Sequence, residues 1–195
     1  MPRLRCLLPL SIVLFALACS EPPDKELHQA QGAIDAARAA GADQYAPEEF
    51  AAAVEALRQA EEAVAQRDHR LALDRALDSR ERAQAAAKLG ASQKAAVRSE
   101  AERLLANVTS TIAQAAARLS AAEAARTPKP ALDGLRTALA TARAAVDDAG
   151  KALAAEDYLA ARERLRGVSE ALRAAMQAVP ATPPAKPARP ARRGR

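Results

Sequence analysis

The sequence predicts an all-α protein of elongated antiparallel helical hairpins, packed as a coiled-coil-like bundle, with a disordered C-terminal tail. Three observations predict it. Alanine fills 56 of the 195 positions, and alanine is the best helix former because it loses no side-chain entropy in a helix. The larger apolar residues recur at steps of three and four, the spacing of one helix face. Breaks bearing proline or glycine, such as Gly41, Pro47 and Thr127-Pro128-Lys129-Pro130, separate those stripes. From residue 19 onward Leu, Ile, Val and Phe number only 26 of 177, below the roughly 20% at which disorder becomes the default. Alanine offsets that deficit, but burying it yields less than the ~1.5–3 kcal/mol of a buried Leu or Phe. Thin helices with shallow interfaces are expected, without rigid pockets.

Taken in order, residues 1–18 read as a signal. Arg3 and Arg5 precede an apolar run from Leu7 to Ala18. That run is too short for ~30 Å of hydrocarbon, which needs roughly 20 helical residues, and it suits the core of a secretory signal. The segment Leu14-Phe15-Ala16-Leu17-Ala18-Cys19-Ser20 resembles the lipobox of bacterial lipoprotein signals. The resemblance implies cleavage after Ala18 and lipid on Cys19, although Ala16 and Leu17 reverse the usual large-then-small order. The alternatives are an ordinary signal cleaved near Ala18, or an uncleaved anchor. Ser20, rather than Asp, resembles the outer-membrane sorting preference, so the expected location is the outer membrane, facing the periplasm. Cys6 would leave with the signal and Cys19 would carry lipid, leaving neither cysteine for a disulfide or a thiolate metal site.

Residues 19–25 form a tether, and 26–126 a helical domain. Leu27, Ala30, Ile34 and Ala37 predict a first helix ending at Gly41. Pro47 suits a first helical position, with Glu48 and Glu49 in the positive first turn. The second helix runs to about Gln66 on Phe50, Ala53, Leu57, Ala60 and Val64. Asp68 caps a third helix carrying Leu73, Ala76, Leu77, Ala83 and Ala87. Gly90 either ends that helix or sits inside a longer one at a cost of about 1 kcal/mol. A further stripe holds Leu105, Val108, Ile112, Ala115, Leu119 and Ala122. Residues 131–179 predict a C-terminal hairpin. Its first stripe is Leu132, Leu135, Leu139, Ala142, Val146, Ala149 and Leu153; its second is Ala161, Leu165, Val168, Leu172, Ala175 and Val179. An offset of 89 pairs Asp68 with Asp157 and His69 with Tyr158, a shared architecture in which most identities are Ala on Ala.

Residues 180–195, rich in Pro and Arg, are expected to be disordered or extended. Charge divides sharply there. Of 29 basic residues, two precede Cys19 and five (Lys186, Arg189, Arg192, Arg193, Arg195) follow Val179, leaving 22 against 24 acids in the body. The body is near neutral, so a nucleic-acid partner is not indicated. The tail is a candidate contact for anionic lipid or another anionic envelope polymer. The membrane itself is the expected partner through the lipid on Cys19.

The stretch Gly32-Ala33-Ile34 to Ala37, then Gly41-Ala42-Asp43-Gln44-Tyr45-Ala46-Pro47-Glu48-Glu49, then Ala53, Leu57, Ala60 and Ala63 carries a family resemblance. It resembles an alanine-rich domain of unknown function in Gram-negative envelope lipoproteins, a Tyr-Ala-Pro-Glu helical hairpin sometimes found in front of OmpA-like domains. The match covers about residues 26–88. The family closes its hairpin with Gly-Asp-Tyr, here replaced by Arg67-Asp68-His69 and better kept by Glu156-Asp157-Tyr158. The resemblance implies fold and compartment but no activity, and peptidoglycan binding does not carry over.

Chemistry is sparse. His28 and His69 are the only histidines, and neither has the Glu-x-x-His spacing of a di-iron bundle. Adjacent acids (Glu48/Glu49, Glu61/Glu62, Asp147/Asp148) do not share a helix face. No phosphate loop or nucleophile elbow appears. No catalytic residue, metal ligand or cofactor is expected. Tyr45, in the turn between helices, is an interaction candidate or a plug at the helix junction. The expected function is a lipid-anchored, non-enzymatic envelope scaffold, spacer or protein-interaction module, with a periplasmic chaperone-like holdase as the alternative.

Overall fold

The structure, a computed structural model, describes residues 22–180. Those residues form helices and turns, with no strand among them. The chain divides into two compact units, Met1–Lys88 and Leu89–Arg195. Cys19, its cleavage position Ala18 and the basic tail residues lie outside the described residues.

The first unit contains α1 (Asp24–Ala39), the single turn α2 (Ala42–Tyr45), α3 (Pro47–Ala65) and the opening of α4 (His69–Ala124). The expected stripes form its core. Ala30, Ile34 and Ala37 of α1 pack with Ala53 and Leu57 of α3 and with Ala83 and Ala86 of α4, while Leu27 and Phe50 lean against the cluster. Gly41 ends α1 at φ 81°, a left-handed conformation that costs glycine nothing. Pro47 opens α3 with Glu48 and Glu49 in its first turn, as the sequence predicts.

One α4 register departs from expectation. The buried positions are Ala72, Ala76, Ser79, Ala83 and Ala86, whereas Leu77 is 38% exposed. The α3–α4 seam takes small residues, so the helices approach closely, and the bulkier leucine is left at the edge. Fully buried Ser79 donates its hydroxyl to the Ala53 carbonyl at 2.8 Å, answering the cost of burying a polar group. Gly90 lies within α4 and is buried, so the helix runs on for 56 residues.

The second unit contains the rest of α4, then α5 (Lys129–Ala154), α6 (Tyr158–Leu165) and α7 (Val168–Ala178). Its core is thicker. Leu132, Leu135 and Leu139 meet Leu172 and Val179 over Ala115 and Ala122, and Leu165 meets Val108 and Ala149. The run expected as one final helix is divided in two. Arg166 (φ −60°, ψ 130°) and Gly167 (φ 71°, ψ −10°) have the dihedrals of a type II turn, which calls for glycine at its third position. The apolar stripe survives the break, with Leu165 and Leu172 both buried.

Three helix ends close alike. Arg67, Arg126 and Glu156 hold φ of 61°, 59° and 58°. The next amides, of Asp68, Thr127 and Asp157, donate to the carbonyls of Ala63, Ala122 and Ala152 at 2.9, 3.0 and 2.9 Å. This is the six-to-one bond of a Schellman motif. Asp68 and Asp157 then cap the following helices, each accepting an amide at 3.0 Å, from Leu71 and Ala160. The offset of 89 thus aligns two hairpin turns of the same backbone geometry.

Candidate functional site

Tyr45 is the last residue of α2 and half-buried, its amide bonded to the Gly41 carbonyl at 3.0 Å. His28 is exposed on α1, whereas His69 opens α4. Among the described residues no group of three His, Cys, Asp or Glu side chains is placed to hold a metal ion. No helix there is long and apolar enough to cross a membrane.

Part of the surface charge is paired one helical turn apart. On α3, Arg58 bridges Glu55 and Glu62. The Arg58 hydrogen bond to Glu55, followed by that from Gln59, lowers the Glu55 carboxyl to about 2. On α5, Lys151 bonds Asp148 and lowers its pKa in the same way. Arg136 joins α5 to Glu123 at 2.7 Å, and that hydrogen bond raises its pKa. These groups are exposed, so solvent screens them and their net stabilisation is small.

Two places depart from that pattern, and both lie at hairpin turns. In the second unit, Tyr158 begins α6 at 7% exposure. Lys94 Nζ and Arg98 Cζ stand 5.7 and 5.8 Å from its ring centroid, within cation–π range. Lys94 also bonds Glu156 at 3.0 Å, so the α5–α6 turn is fastened to α4 by ring and charge together. No motif or spacing singles out Lys94 or Arg98; only the pairing of Tyr158 with His69 hinted at this position.

In the first unit the corresponding turn is open. A cavity of about 640 Å³ lies where α1 and α4 begin, lined by Pro22, Pro23, Asp24, Lys25, Glu26, His69, Arg70 and Leu73. The Nδ1 of His69 is buried there without a hydrogen-bond partner. A smaller groove of about 370 Å³ runs along α3 and α4 between Glu48, Glu49, Ala52, Arg82 and Ala85. The cavity offers basic, acidic and imidazole groups beside the apolar Leu73.

No curated protein and no solved structure matches the chain. The match to a family is confined to the N-terminal part, beginning at the start of α1 and running past Gly90 into α4. Residues 25–101 match the family model of a domain of unknown function, DUF4398.

Proposed function

We propose that the chain is a lipid-anchored, non-enzymatic helical protein of the cell envelope, serving in the periplasm as a scaffold, spacer or protein-interaction module. The observation that carries this is α4, a single helix of 56 residues with alanine at most of its buried positions. Its buried positions are given to packing, and seven of its fifteen Asp, Glu, Lys and Arg side chains are held in ion pairs. The groups with resolved pKa shifts, such as Glu55 and Asp148, are exposed ion-pair members rather than residues poised in a cleft. The lipobox-like segment ending at Cys19 supports an outer-membrane anchor. The basic tail, Lys186 to Arg195, supports contact with anionic envelope surfaces.

Sedimentation of the wild-type chain and a variant truncated after Val179 with phosphatidylglycerol vesicles at low salt tests the tail. The truncation is expected to lose most of any binding that the acyl anchor does not supply. Equal binding by unacylated forms of both chains sinks the tail contact. The holdase reading has one observation in its favour: Val54, Leu71 and Leu77 expose 41, 39 and 38% of their surface in the first unit. A wild-type chain that leaves aggregation of a heat-denatured client unchanged eliminates it.

A further inference from the structure

The open cavity at the start of α1 and α4 gathers charged side chains, an apolar wall and a buried imidazole nitrogen. Asp24, Lys25, Glu26 and Arg70 line it. Among the described residues their side chains have no ion-pair or hydrogen-bond partner. The cavity therefore holds two cations and two carboxylates that do not neutralise one another directly, beside the unpartnered Nδ1 of His69. Leu73, Pro22 and Pro23 supply an apolar wall. Such a balance does not suit a plain anion, which the two carboxylates would repel. It suits a zwitterion, with a phosphate near Lys25, Arg70 and His69 and an ammonium near Asp24 and Glu26.

The position of the cavity narrows the ligand further. Cys19 stands three residues before Pro22, a reach of at most about 11 Å. If Cys19 carries lipid, the cavity lies within that distance of the bilayer surface. We propose that this cavity seats the phosphoethanolamine headgroup of a membrane phospholipid, so that the first helical unit rests on the bilayer at the end where α1 and α4 begin. The membrane placement rests on the lipid-anchor reading of Cys19, while the headgroup chemistry rests on the cavity alone. The corresponding turn of the second unit has no such role, because Lys94 and Arg98 already cover Tyr158 there.

The two parts separate by experiment. The full chain with Cys19→Ser, which cannot be acylated, is titrated with soluble glycerophosphoethanolamine while the His69 ring and Arg70 side-chain resonances are followed by NMR. Glycerophosphocholine, whose methylated ammonium cannot donate hydrogen bonds to Asp24 and Glu26, and inorganic phosphate serve as the other arms. Saturable shifts are expected with glycerophosphoethanolamine. At least tenfold weaker binding is expected for both other probes, for Arg70→Ala and for Glu26→Gln, with unchanged helicity in each variant. Absence of shifts, or equal shifts with inorganic phosphate or glycerophosphocholine, overturns the headgroup site. Full binding retained by both Arg70→Ala and Glu26→Gln overturns it as well. Palmitate labelling of the wild-type chain tests the anchor separately, and an unlabelled chain that still binds glycerophosphoethanolamine would remove the membrane placement while leaving the site.

Discussion

Arg67, Arg126 and Glu156 occupy left-handed backbone that ordinarily goes to glycine, while Gly167 occupies it as glycine. For an L-residue that conformation costs roughly 1–2 kcal/mol, partly offset by the greater freedom glycine has in the unfolded chain. Arg67→Gly and Arg126→Gly are therefore expected to raise stability by about 0.5–1 kcal/mol each, read as a higher melting temperature. Gly167→Ala should lower it by about 1 kcal/mol; its Cβ would meet no atom within 4 Å, so the cost is conformational rather than steric. Glu156→Gly should gain less than the arginine variants because it also gives up Lys94. Ser79 works through space instead. A leucine there must enter a seam already closed around the Ala53 carbonyl, and Ser79→Leu should cost about 1–3 kcal/mol in a chemical melt. None of these residues stood out in the sequence. A polar serine inside a helical run looks like surface, and an arginine before Asp-His gives no sign of positive φ. Asp68 was legible because an aspartate three residues before the next apolar position, Leu71, is a common helix cap.

The helices themselves were largely readable, and the reason is periodicity. Leu132, Leu135, Leu139 and Ala142 step three and four along α5, and all four are buried. The opening of α4 was less readable because its seam is alanine, which occurs on every face of the helix and marks none. Ala76 and Ala83 of the expected stripe are buried, but Leu73 and Leu77 drew it toward a neighbouring face that leaves out Ala72 and Ser79. Gly167 went unremarked because the stripe through Leu165, Val168 and Leu172 is continuous across it. Electrostatics belong to this scale as well. The folded Glu55 carboxyl, held near 2 by Arg58 on the same helix, lies below its ordinary value of 4.5. A depressed carboxylate stabilises the fold above its unfolded pKa, and that stabilisation is lost as pH falls through the folded one. Between about pH 4.5 and 2 the wild type should thus lose melting temperature relative to Glu55→Gln. Because the pair is exposed, the difference should be small and should shrink further in 1 M salt. A difference that survives salt would show that Glu55 is stabilised by something other than its exposed partner.

At the scale of the molecule, bulk divides unevenly between the units. The largest fully buried side chains are Leu132, Leu135, Leu165, Leu172, Val108 and Thr111, all in the second unit, with only Ser79 in the first. Each buried leucine is worth about 1.5–3 kcal/mol, well above a buried alanine. Hydrogen exchange should accordingly be slower in α5 and at Leu165 and Leu172 than in α1 and α3, and equal protection throughout would show that α4 couples the units into one cooperative block. The division at Lys88 was not legible, because the sequence changes neither composition nor periodicity there and α4 passes straight through. The DUF4398 segment, 25–101, likewise extends beyond the first unit along that helix. The functional expectation rests on Cys19, where a reactive side chain sits in a patterned segment; elsewhere charge on a helix surface serves many partners equally well. Intact-mass and N-terminal peptide analysis of the mature protein from envelopes tests the anchor most directly. The expected first residue is Cys19 bearing a diacylglyceryl group; a mature chain that begins elsewhere, or whose Cys19 is unmodified, contradicts the lipid-anchored scaffold.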